Sequence, residues 1–69
     1  MTFGDFLKQK REEKNLKIKE LAAIVKCTSV ELSNIEKNKN KPRMMLLKRL
    51  SDGLDIPFEI LFEKCYEGE

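Results

Sequence analysis

The chain contains no histidine and no tryptophan, and only two cysteines, two prolines, three glycines and one tyrosine among its 69 residues. Without histidine there is no imidazole base and no Cys/His zinc site, and Cys27 and Cys65 match neither a CxxC pattern nor a metal-ligand spacing. They read as ordinary reduced thiols, and no cofactor or metal is expected. The scarcity of glycine leaves no glycine-rich phosphate loop. No apolar run approaches the ~18 residues of a membrane span, and Met1 leads into Thr2, Phe3, Gly4, Asp5 and Phe6 without a basic segment and apolar core. A cytoplasmic protein with no membrane partner is expected. A chain of this length builds one small core and no sizeable pocket, so an enzyme is the weakest reading.

The charge that is present is unevenly spread. Residues 1–49 carry 13 Lys and Arg against 6 acids, a net of +7, while residues 50–69 carry one Lys against six acids, a net of −5; together they give the chain's +2. A polyanion would meet a basic body with an acidic tail, although two solvated faces with no partner would carry the same numbers.

Local signals divide the chain into five short helices. Thr2 and Asp5 form a capping-box pattern that opens a helix over residues 3–14, with Phe3, Phe6 and Leu7 on one face and Asn15 suited to the left-handed residue that closes it. Ile18, Leu21, Ala22 and Val25 repeat at i, i+3, i+4 and i+7 and predict a second helix. After the turn at Lys26 and Cys27, Thr28 caps a third, over 29–37, with Glu31 at the reciprocal position and Leu32 and Ile35 facing inward. Residues 37–42 hold no apolar side chain other than Pro42 and read as an exposed loop. Met44, Leu47, Leu50, Ser51 and Leu54 mark the inner face of a fourth helix, and Pro57 opens a short fifth one through Phe58, Leu61 and Phe62. The expected fold is all-α, a single domain over residues 1–62 followed by a short acidic tail, 63–69, that frays.

Helices two and three are short, amphipathic and joined by about three residues, with small Ala22 where a second helix must approach closely. From Phe3 to Phe62 the sequence resembles the Cro/C1-type repressor DNA-binding domain, the XRE family. The resemblance rests on Leu21-Ala22, on Ile35-Glu36 followed by a basic loop and Pro42, and on the run from Leu50 to Pro57. It implies a five-helix bundle of the lambda-repressor-like type with a helix-turn-helix at helices two and three. It departs from the family pattern at Ile18, where the family usually has a phosphate-contacting Gln, and at Lys26, where it often has Gly.

The resemblance further implies that helix three lies in a major groove, with Ser29, Val30, Ser33 and Asn34 toward base edges. Asn34 suits adenine, the serines suit several bases, and Val30 suits a thymine methyl unless it packs within the protein. Phosphate contacts are expected from Arg11, Lys19, Thr28, Lys37, Lys39, Lys41 and Arg43. Glu31 is assigned to capping and Glu36 to supporting the loop after helix three. Met45, Leu46, Ile60 and Phe62 either form a homodimer surface or complete the monomer core. Asp52, Asp55, Glu59, Glu63, Glu67 and Glu69 point that end away from DNA. The function expected is sequence-specific binding of double-stranded DNA as a transcriptional regulator, a repressor by preference. The alternatives are an antitoxin-type autoregulator and a protein-interaction module of the same fold.

Overall fold

Caps and apolar stripes decide where each element begins and ends in the computed structural model, which describes residues 1–66. Among these residues the chain forms five helices and no strand: α1 (Phe3–Glu13), α2 (Ile18–Val25), α3 (Ser29–Glu36), α4 (Met44–Leu54) and α5 (Phe58–Tyr66). At the start of α1 the Thr2 hydroxyl accepts from the Asp5 N–H at 3.1 Å, and the Asp5 carboxylate accepts from the Thr2 N–H at 3.4 Å. Two orphan donors are thereby satisfied. Asn15 (φ 57°), Lys26 (φ 60°) and Asp55 (φ 55°) turn the chain left-handed after α1, α2 and α4. Asn and Asp tolerate this conformation, whereas Lys26 stands where glycine is usual.

The core joins Leu7 of α1, Leu21, Ala22 and Val25 of α2, Leu32 and Ile35 of α3, Leu47, Leu50 and Leu54 of α4, and Leu61 of α5. Fully burying each leucine contributes about 1.5–3 kcal/mol. Around this core α2 packs on α3 and α4, α1 packs on α3 and α5, and α4 packs on α5. Gly53 lets α2 and α4 meet, since a Cβ there would lie 3.1 Å from Val25 and 3.2 Å from Ile24.

Four expectations are corrected. Leu46 belongs to the core, not to a surface for a second copy, because Leu46, Leu50 and Leu54 form an i, i+4, i+8 row beside Leu47. Met44, expected inside, is half-exposed because it occupies the first position of α4, at the open end of that stripe. The fifth helix runs on to Tyr66 where a fraying tail was expected from residue 63. Cys65 lies one helical turn after Leu61 and is buried with it, and along α5 the Phe58 and Phe62 rings stack with centroids 5.9 Å apart while Tyr66 meets Phe62 in a tilted contact at 5.0 Å. Glu67 and Glu69, also assigned to that tail, lie outside the described residues.

The fourth correction concerns Arg11, which is only 7% exposed and is no phosphate ligand. Its Nε and Nη2 donate to the two carboxylate oxygens of Glu36 at 2.8 and 3.1 Å, and its Nη1 donates to the Leu16 carbonyl at 2.7 Å. The hydrogen bonds it donates to Glu36 push the guanidinium pKa up, outweighing the burial that lowers it. Sequence reasoning missed this because a lone Arg on an amphipathic helix looks solvated. Nearby, Gly4 abuts the end of α3, and a Cβ on it would come 2.2 Å from the Glu36 carbonyl oxygen.

Arg11→Ala is expected to destabilise the domain by about 3–5 kcal/mol, because Glu36 is left buried and unpaired, while Arg11→Met combined with Glu36→Leu recovers most of the loss. Urea denaturation of the single and double variants checks this. Lys26→Gly should act oppositely, relieving roughly 1 kcal/mol of left-handed strain and raising Tm by about 4–8 °C in a thermal melt.

Candidate nucleic-acid interface

The periodicity that buries Leu32, Ile35 and Glu36 turns the opposite side of α3 outward. On that side Ser29 and Val30 are exposed, and Ser33 and Asn34 are half-buried. These four residues line one shallow depression together with Ile18, the first residue of α2, and Lys37, which follows α3. All four residues expected to face base edges are therefore brought together, with a cation at one end. The depression is open, suited to an edge or ridge of a large ligand and not to an enclosed small molecule.

Thr28 sets the start of α3. Its hydroxyl oxygen accepts from the Glu31 N–H at 3.0 Å, which leaves its own O–H to donate outward. The reciprocal bond that Asp5 makes at α1 has no counterpart here among the described residues. Glu31 instead lines a groove with Lys26, Arg43 and Arg49, so its negative charge sits among three cations. Cys27 shares that groove, and burial, followed by the Glu31 carboxylate, pushes its thiol pKa up against the opposing pull of Arg49. Burial likewise raises the Cys65 thiol. Neither cysteine is an activated thiolate.

Beyond α3, Lys37, Lys39, Lys41 and Arg43 are exposed along the loop to α4, and Pro42 between them is buried. Lys41 lies over the Tyr66 ring, 5.3 Å from its centroid. Lys19 is exposed on α2. Of the seven residues expected at phosphates, all but Arg11 thus stand at the surface. Asn38 holds the loop in place: with φ 63°, it accepts from the Gly4 N–H and donates to the Thr2 hydroxyl, both at 2.9 Å. Its role was not anticipated from sequence, where the only signal is the tolerance of Asn for left-handed backbone in a turn. Of the apolar residues weighed as a surface for a second copy, Met45, Ile60 and Phe62 are exposed.

Comparison with known proteins agrees with the fold. The helix-turn-helix family profile matches residues 7–61. The HTH-type transcriptional repressor RghR of Bacillus subtilis (strain 168) is 34% identical over 65 residues, which are 93% of this chain and 48% of the relative. The chain thus spans about half the length of that curated relative. Among solved structures, one of a SinR protein/SinI protein complex superposes with a TM-score of 0.83 at 30% identity, covering 99% of this chain and 67% of the matched one.

Proposed function

Because the chain belongs to the Cro/C1-type helix-turn-helix family, a family of DNA-binding domains, we propose that it represses transcription by reading a specific double-stranded sequence with α3 in the major groove. The observation that carries this is the convergence of Ser29, Val30, Ser33 and Asn34 on one open face beside Lys37. Asn34 suits adenine, its side-chain amide donating to N7 and accepting from N6, a pairing worth about 1–3 kcal/mol of discrimination. Ser29 and Ser33 each bring a hydroxyl that donates or accepts, according to the base opposite.

Phosphates on the flanking strands are held by Thr28, Lys19, Lys37, Lys39, Lys41 and Arg43, with the loop among them anchored through Asn38. Two copies read two half-sites about one helical turn apart, joined through the exposed Met45, Ile60 and Phe62. The name of the RghR relative supports the repressor sense. A protein partner is the second reading, favoured by the likeness to a chain solved as a SinR–SinI complex.

Titration onto genomic fragments at two salt concentrations tests the proposal. In Asn34→Ala the preference for the best fragment over bulk DNA should fall by roughly tenfold or more, with the salt slope unchanged. In Lys37→Ala/Lys39→Ala binding to all fragments should weaken and the log–log salt slope should flatten by about two. Wild-type protein that binds no fragment even at low salt would leave a protein partner as the function of this fold.

A further inference from the structure

We propose that Ile18 and Val30 form an apolar notch that recognises the 5-methyl group of a pyrimidine, which makes both of them specificity-determining residues. This rests on α3 being the recognition helix. Val30 is 71% exposed on a face otherwise made of hydroxyl, amide and ammonium groups, and the core does not use it. Ile18 packs partly against the core yet also lines the same depression. Both are β-branched residues within helices, so their side chains are held near one χ1 rotamer and lose little freedom when a ligand seats against them.

The Ile18 side chain itself is unsuited to a phosphate, whatever the neighbouring Lys19 contributes. Its side chain offers no donor, and the Glu20 carboxylate accepts from the Lys17 N–H at 2.7 Å, which sets a negative charge in the first turn of the helix. What the Ile18 side chain brings to the depression is apolar contact. In the major groove the apolar group that base pairs present is the methyl on C5 of thymine; 5-methylcytosine carries one at the same carbon. Val30 and Asn34 stand four residues apart on one helix face, so a methyl in the notch and an adenine edge at Asn34 fit a short A·T-containing step.

The test uses the full chain and a high-affinity site selected from random duplex DNA. Each thymine is replaced in turn by deoxyuridine, which removes only the methyl. Burial of one methyl corresponds to about fourfold in affinity, so at least one position per half-site should lose about that factor. The loss should vanish in Val30→Ala, shrink in Ile18→Val, and persist in Lys39→Ala. With cytosine at the sensitive position, conversion to 5-methylcytosine should restore about fourfold. A uracil penalty nowhere in the site, a penalty unchanged in Val30→Ala, or no gain on cytosine methylation would each overturn the notch. Selection that yields no bound DNA at all would defeat the underlying DNA-reading proposal as well, and is distinguishable from those results.

Discussion

The arrangement of this domain depends on the buried ion pair between Arg11 and Glu36. A guanidinium taken out of water needs its donors satisfied, and here two of its nitrogens meet both oxygens of one carboxylate while a third meets the Leu16 carbonyl. Those bonds tie the end of α1 to the end of α3. The same junction is closed by Gly4, whose lack of a Cβ admits the Glu36 carbonyl, and by Asn38, which bridges Thr2 and Gly4. Hydrophobic burial supplies most of the driving force, but it is non-directional. The polar junction adds directional contacts between α1 and α3 to the burial of Leu32 and Ile35.

With α3 held from behind, its outward face and the loop that follows are positioned by the same contacts. Lys37 and Lys39 flank the anchored Asn38, so the cations project from a segment whose backbone is held at its middle. Glu31, which alone would repel a phosphate backbone, sits among Lys26, Arg43 and Arg49. Among the described residues, the acids near the C-terminal end are Asp52 on α4, Glu59 and Glu63 on α5, and Asp55 just after α4; Asp55 pairs with Lys14 at 3.2 Å, an exposed contact that contributes little. Charge is thus divided between elements, with the loop cations next to the face formed by α3.

Much of this was legible in the sequence. The period-3.6 stripes and the Thr2 and Thr28 caps place the five helices, because local hydrogen bonding and amphipathicity decide them. What was not legible depends on contacts distant in sequence. Arg11 reads as a surface cation until Glu36, 25 residues later, is brought to it. Leu46 reads as surplus apolar surface until the width of the α4 stripe is known. Residues 63–66 look like an acidic tail because composition hides the i, i+4 burial of Leu61 and Cys65 and the Phe58–Phe62–Tyr66 ladder. The four residues expected at base edges share one face for a simpler reason: helical spacing settles it once Leu32 and Ile35 are known to point inward.

The central claim is the proposal that the outward side of α3 is the DNA-reading face. The most direct measurement is an amide chemical-shift map recorded while a selected duplex is titrated into labelled protein. The account predicts the largest changes at Thr28, Ser29, Val30, Ser33, Asn34 and Lys37, with smaller ones at Lys39 and Lys41 and little change at Leu61 and Cys65 in the core. Changes centred on α5, with α3 unmoved, would contradict it.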